Sequence, residues 1–345
     1  MVHMHRIVFM GTPRFGELIL RALIGHSRPS DPAKGIPPKG WRDTVAVAGR
    51  SSSGGTEHQY EIAAVVTQPD RPSGRGQRTA VSPVKALALE QNLPVLQPRR
   101  LRDEQVVQQL HTLAPELIVV AAFGQILPPS VLSLPHHGSI NVHGSLLPRH
   151  RGAAPVPAAI LAGDSQTGIT IMLMDPGLDT GPMLSQAALE VLSDDTTASL
   201  TERMGHLGAQ LLLETLPRWI AGEITPTKQD ESQATYAGLL RREDGRIHWA
   251  DPAEQIARRC RALYPWPGAY ALWQDRELKL LRARPLATQI PAEPPGKVVS
   301  AESQIAVVTG NGLLILDEIQ LAGKRRLSAQ EFVRGQPSFM GSILR

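Results

Sequence analysis

The residue types best suited to chemistry crowd into SINVHGSLLPRHRGAAP, residues 139–155. Asn141 and His143 are two residues apart, so on an extended strand end their side chains leave the same side. An amide donor beside an imidazole can stabilise a developing oxyanion and move a proton. A third group, Asp179, lies in the glycine-flanked loop PGLDTG. A carboxylate next to an imidazole favours its charged form, so the three together form an acid–base and oxyanion constellation. Residue types alone leave the plainer alternative open, a hydrogen-bonded loop histidine.

Such a trio needs a scaffold that ends a strand where a ligand can reach it. From Arg6 to about Ala221, short apolar runs (RIVFM, EIAAVVTQ, ELIVVAAFG, SINVH) alternate with helical patterns (RFGELILRALIG, SPVKALALEQN, PPSVLSL, TASLTERMGHLGAQLLLETLPRWIAG). Alternation of this kind predicts an α/β fold, a Rossmann-like doubly wound, mostly parallel sheet, because parallel strands require crossover connections. Ligands of such sheets bind outside the carboxyl ends of the strands, which puts the 139–155 stretch on the binding rim. Residues 5–222 are read as this first domain and 223–241, polar and without period, as a linker. Residues 242–345 open with the helical pattern DPAEQIARRCRAL. Short segments punctuated by glycine and proline follow, and they predict a small antiparallel β-barrel. Residues 26–60, rich in Gly, Pro and Ser, read as a mobile surface insertion between the first helix and the second strand.

Composition narrows the classes. A chain of 345 residues predicts two domains, and 42% hydrophobic with 20% charged residues predicts a globular core. The longest apolar run, LIVVAAFG from Leu117, is too short to span a bilayer, and the amino-terminal residues lack a secretory pattern, so no membrane association is expected. One cysteine, Cys260, excludes an internal disulfide and a multi-cysteine metal site, which favours the cytoplasm and predicts a thiol packed as a small apolar group. The net charge of +4 permits a polyanionic partner without requiring one. With 4% aromatic residues, nucleic acid would be held by phosphate contacts and shape rather than by base stacking. The YPWPGAY segment, 264–270, is accordingly read as Trp–Pro packing that closes a small core.

Standard motifs are missing. GTPRFG after the first strand is not GxGxxG, and there is no GxxxxGK[ST], HExxH or GxSxG. The arginine-rich loop PDRPSGRGQR carries Arg71, Arg75 and Arg78 among glycines and prolines. It suits phosphate contact, while charge alone favours the plainer reading of a solvated surface loop.

The runs INVHGSLLPRHRGAAP and AGDSQTGITIMLMDPGLDTGPM, with VFMGTPRF, VVTQPDRPSGRGQ, SPVKALA, AAFGQILP and RIHWADPAEQIARRCRALYPWPGAYA, resemble the folate-dependent formyltransferases. More narrowly, they resemble the methionyl-tRNA formyltransferases. The resemblance spans nearly the whole chain apart from the early insertion and the extreme ends. It implies that Asn141, His143 and Asp179 are catalytic in transfer of a formyl group from 10-formyltetrahydrofolate to the α-amino group of initiator methionyl-tRNA. A free α-amino group has a pKa of about 8, so enough neutral nucleophile exists and no metal is expected. The resemblance further implies folate contacts from Phe123, Gly124, Gln125, Ile126 and Leu127 and from Ser145, Leu146, Leu147 and Pro148. It implies tRNA acceptor-stem contacts from Arg71, Arg75 and Arg78, Arg75 matching the key arginine. The carboxy-terminal barrel would be OB-like and hold the tRNA backbone with the basic clusters RRCR and GKRR; a monomer is expected.

Two positions depart from the pattern. Phe123 stands where a tyrosine is expected, which removes a hydroxyl, and Pro157 stands where a long polar side chain is expected. The rival enzyme reading is a formyltransferase acting on a UDP-amino-sugar, for which the arginine loop has no evident use. Glycinamide ribonucleotide formyltransferases are shorter and lack the barrel. A catalytically silent tRNA-binding module would not need the intact trio.

Overall fold

The computed structural model describes residues 4–27, 59–73, 78–288 and 292–345. Most of the 26–60 insertion lies outside the described residues. Strand β1 (Met4–Gly11) leads into α1 (Arg14–His26), followed by β2 (Gln59–Val66), the short hairpin strands β3 (Arg71–Ser73) and β4 (Arg78–Ala80), and α2 (Pro83–Glu90). Then come β5 (Val95–Leu96), α3 (Glu104–Thr112), β6 (Leu117–Ala121), α4 (Pro129–Leu132) and β7 (Ser139–His143). The chain continues through β8 (Arg151–Gly152), α5 (Pro155–Ala162), β9 (Gln166–Leu173), β10 (Met183–Glu190), the long α6 (Thr197–Ile220) and β11 (Tyr236–Ala237).

Seven of these strands form one sheet in the order β10-β9-β7-β6-β1-β2-β5. Neighbours from β5 to β7 run parallel, and β9 joins β7 antiparallel, so the sheet is mostly parallel as expected. Ile7–Met10 and Leu117–Val119 are essentially fully buried, which is why these strands read as continuous apolar runs rather than alternating ones. Val8, Met10, Ile118 and Val120 pack with Leu110 of α3 and Val131 of α4. On the opposite face α6 lies against β7 and β9: a Cβ on Gly208 would meet Val142 at 3.1 Å and Ile169 at 3.5 Å. The sheet is therefore covered on both faces. Because the chain runs from β1 outward through β2 to β5 and then returns to β6, the topological switch point falls between β1 and β6.

Helix α2 starts where the sequence says it should: Ser82 accepts the Lys85 amide at 3.1 Å, with proline in the first turn. Pro157 lies in the first turn of α5, where an amide has no intrahelical partner to lose.

In the remainder, α7 (Ala253–Ala262) precedes β12 (Ala269–Trp273), β13 (Arg276–Leu286), β14 (Val298–Ala301), β15 (Gln304–Val308), β16 (Leu313–Leu321), β17 (Leu327–Ser328) and α8 (Ala329–Gly335). These strands form an antiparallel sheet in the order β12-β13-β16-β15-β14, with β17 on β16. The final residues bridge its two edges. Leu272 of β12 exchanges both backbone hydrogen bonds with Arg345 (2.6 and 2.9 Å), while Val298 of β14 donates to Ser342 (2.9 Å) and Leu344 donates to Gly296 (2.9 Å). The open sheet is thus closed by the tail, in keeping with the OB-like barrel.

Inside it, Trp273, Phe332 and Phe339 meet edge-to-face at centroid distances of 5.0–5.4 Å. Cys260 packs among Ile256, Leu278 and Leu316, as expected, and burial pushes its thiol up to about 12. Trp266 departs from the expectation that it closes a small core: it is 58% exposed. The aromatic position in the core is filled by Trp273, and the segment contributes the buried Pro267 and Gly268 instead.

Two compact units emerge, Met1–Pro148 with Ile169–Ala187 and Met204–Gln233, and Arg149–Gly168 with Ala188–Arg203 and Ala234–Arg345. They interleave along the chain, whereas a sequential partition around residues 223–241 was expected. That segment is also structured: Thr227 pairs with Met183, and β11 pairs with β8. Among the described residues no helix is long and apolar enough to cross a membrane.

Candidate active site

Strand β7 carries Asn141 half-buried and His143 buried at 5% exposure, with Val142 turned to the other face. Pairing with β9 sets Asn141 opposite Met172 and His143 opposite Thr170. The chain then runs along β9 into the loop MDPGLDTGP and back to β10. This loop folds on itself: Asp175 accepts from the Gly177 amide (3.0 Å) and from the Thr180 hydroxyl (2.7 and 2.9 Å). At Gly181 a side chain is impossible without rearrangement, since a Cβ would lie 1.9 Å from the Leu173 carbonyl oxygen. Asp179 adopts a left-handed backbone, φ +53°.

The outcome is convergence. The Asn141 amide donates to Asp179 Oδ1 at 3.3 Å, and His143 Nδ1 lies 3.6 Å from Asp179 Oδ2. The three side chains picked out by type and spacing therefore meet at the carboxyl end of β7. The arrangement can present an amide N–H and an imidazole to one reacting atom while a carboxylate orients both.

Gln229 was not anticipated. Buried at 3% exposure, its Nε2 donates to the Asp179 carbonyl (2.8 Å) and the Gly181 carbonyl (2.7 Å), clamping the loop that carries the acid. A glutamine in a polar segment without periodicity carries no local signal of that role.

The segments expected to hold folate flank the trio at the ends of β6 and β7. Phe123 (2% exposed) and Leu127 (3%) pack in the core, and Ile126 is 85% exposed. Gly124 has φ +83°, which turns the chain. The Gln125 side chain is spent internally, accepting from the Leu101 amide and donating to the Pro98 carbonyl, both at 3.0 Å. Across the switch point Thr12, after β1, donates to the Phe123 carbonyl at 3.1 Å, and Gln68, after β2, donates to the same oxygen at 3.3 Å. Ser145 and Leu147 are buried, and Leu146 and Pro148 are half-buried. The buried Thr170 fixes this wall, donating to the Ser145 carbonyl (2.7 Å) and accepting from the Leu147 amide (3.0 Å), while Gln186 donates to the Leu147 carbonyl (2.9 Å). Thr170 and Gln186 were also missed, because only strand pairing brings them to 145–148.

Of the arginine loop, Arg71 and Arg78 belong to paired hairpin strands, with Ser73 opposite Arg78. Arg75 lies outside the described residues. The base of the hairpin is anchored at Asp70, whose carboxyl is held below the usual range by hydrogen bonds from Lys85 and then Gln97.

A cleft of about 520 Å³ in the second unit, lined by Asp164, Glu190, Asp194, Arg258 and Arg261 among others, contains none of the expected site residues.

Comparison with known proteins places the chain in a family. Residues 46–216 match the formyl transferase family and residues 239–337 the formyl transferase C-terminal domain. A methionyl-tRNA formyltransferase of Citrifermentans bemidjiense is 43% identical over 98% of this chain and 96% of its own length. One from Roseiflexus castenholzii is 43% identical over 96% of each. Among solved structures, an N-formyltransferase from Helicobacter canadensis in complex with folinic acid and dTDP-3-aminofucose superposes with a TM-score of 0.59, covering 93% of this chain and all of that one. At 15% identity it shares the fold. Identity at this level over both full lengths, with both family domains in order, makes the chain a member of the methionyl-tRNA formyltransferase family.

Proposed function

We propose that the protein transfers the formyl group of 10-formyltetrahydrofolate to the α-amino group of methionyl initiator tRNA, acting in the cytoplasm as a monomer. The observation that carries the reading is the meeting of Asn141, His143 and Asp179 at one strand end, beside the switch point where sheets of this kind take their ligands.

The folate lies along the rim between residues 123–127 and 145–148, with its formyl carbon toward β7. The neutral amine of the aminoacyl end attacks that carbon, and charge develops on the formyl oxygen. The Asn141 amide and a ring N–H of His143 donate to it, an interaction stronger in the transition state than in the ground state. Asp179 orients His143 and accepts the proton that the attacking nitrogen loses, directly or through water. Collapse of the tetrahedral intermediate breaks the bond to the folate nitrogen, which takes up a proton and leaves as tetrahydrofolate. No step requires a metal. Residues 5–222 serve as the catalytic domain, 223–241 as the connection and 242–345 as the tRNA-binding domain. Arg71, Arg75 and Arg78 meet the phosphates of the acceptor end.

The test is formyl transfer from 10-formyltetrahydrofolate to methionine-charged initiator tRNA, with charged elongator tRNA and a UDP-amino-sugar as parallel acceptors. Initiator-selective transfer is the expected result. Transfer to the sugar alone would keep the trio and overturn the acceptor; transfer to none would overturn the activity.

A further inference from the structure

At the amino ends of the same strands lies a second cluster that formyl transfer does not use. His5 is near the start of β1, Glu116 immediately precedes β6, and His137 lies two residues before β7. These three strands are adjacent in the sheet. One ligand-type atom from each residue, two imidazole nitrogens and a carboxylate oxygen, lies within 4.8 Å of the others.

The positions are set by backbone rather than by chance rotamers. The Glu116 amide donates to the Arg6 carbonyl (2.9 Å) and the His137 amide to the Glu116 carbonyl (2.8 Å), so the ladder of the sheet extends one step to hold both residues. The Trp219 indole N–H donates to the His137 carbonyl at 2.8 Å, fixing it from α6. His5 Nδ1 already contacts Glu116 Oε2 at 2.9 Å, and the His5 and His137 rings meet edge-to-face at 5.7 Å. His136 packs against His137 from the solvent side, ring centroids 5.0 Å apart. Arg6, the nearby cation, directs its guanidinium away, toward the Leu113 carbonyl (3.0 Å) and Glu61 (3.5 Å).

We infer that His5, Glu116 and His137 form a binding site for a divalent transition metal, zinc being the best match, that clasps the amino ends of β1, β6 and β7. Two imidazoles and one carboxylate are a borderline-soft donor set, which suits zinc and disfavours magnesium or calcium. Around a tetrahedral zinc with bonds of about 2.0–2.1 Å, ligand atoms sit about 3.4 Å apart. Closing the cluster to that spacing takes side-chain movements of about 1 Å. The side chains of His5 and Glu116 are 12% and 25% exposed, so a metal has an entry path and yet sits partly desolvated. The fourth position falls to water. β7, which begins two residues past His137, carries Asn141 and His143 four and six residues beyond it, about 13 and 20 Å away at about 3.3 Å per residue. The site is therefore structural, and it stabilises the fold by binding the native chain alone.

The test uses the full chain, purified without a histidine tag and treated with chelator. Zinc titration by calorimetry should show one ion per chain, and thermal unfolding should shift upward with added zinc. His137→Ala and Glu116→Gln leave the backbone hydrogen bonds in place. Each should weaken zinc binding by at least about tenfold, the loss that even an outer-shell partner causes, and abolish the thermal shift. Formyl transfer by both variants should match the parent. Failure of the parent to bind zinc one-to-one, or equal binding by the parent and both variants, would overturn the site.

Discussion

The two compact units place their demanding residues in opposite ways. In the first, polar side chains are gathered where strands end, and each is held by another polar group reaching in: Asp179 by Asn141, its loop by Gln229, the 145–147 wall by Thr170 and Gln186. In the second, order comes from apolar closure, with Trp273, Phe332 and Phe339 interlocked and the last four residues zipped between β12 and β14. The contrast teaches where damage should appear. Changes at the rim should cost rate with little stability, and changes in the barrel interior should cost stability first.

The largest effect is expected from Trp273→Ala, which empties the centre of the aromatic triangle and should destabilise by about 3–5 kcal/mol in chemical denaturation. Trp266→Ala, at an exposed site in the same unit, should stay within about 0.5 kcal/mol. Equal losses from the two tryptophans would contradict the closure described here. Next, His143→Ala and Asn141→Ala should each lower turnover by about 10²-fold or more, equivalent to about 2.7 kcal/mol, while far-ultraviolet dichroism stays unchanged. Full activity in His143→Ala would remove the imidazole from the mechanism.

A smaller loss, about tenfold in kcat, is expected for Gln229→Ala at a temperature where parent and variant are both folded, because freeing the loop lets Asp179 drift from His143. If kcat holds and only the melting temperature falls, Gln229 is a structural tether and the contrast between units weakens. The smallest effect sits in the barrel and depends on pH. Burial raises the Cys260 thiol from 9.0 to about 12, so above pH 9 the unfolded chain has lost a proton that the native chain keeps. Stability should then fall with rising pH by up to about 1.4 kcal/mol per unit, a slope absent from Cys260→Ala. An equal change in unfolding free energy between pH 9 and 10 for the parent and Cys260→Ala, measured by urea denaturation, would show that the thiol is not shielded.

Much of this was legible in the chain. RIVFM and LIVVA announce buried parallel strands because both faces are covered and every position after Arg6 is apolar, whereas SINVH sets only Ile140 and Val142 between polar residues. The Asn-x-His spacing is a local property of an extended strand, so it survives folding unchanged. Strands β9 and β10 were not anticipated, and β10 alternates between half-buried and exposed residues with little apolar contrast. Trp266, set between Pro265 and Pro267, carries no local sign of its exposure, and only packing decides that the barrel core takes in Trp249 and Trp273 instead.

What the sequence by itself determined is therefore what depends on neighbours along the chain: strand and helix patterning, the cap at Ser82, the same-side pair Asn141 and His143, and the relatedness carried by ordered motifs. Tertiary structure alone decided what depends on closure between distant segments. Asp179 reaches β7 from 38 residues away. Gln229 grips the Asp179 loop across 50 residues. His5 meets Glu116 across 111 residues because parallel strands bring their beginnings together. No local pattern encodes such meetings, because pairing register and loop return are settled by the packing of the whole sheet.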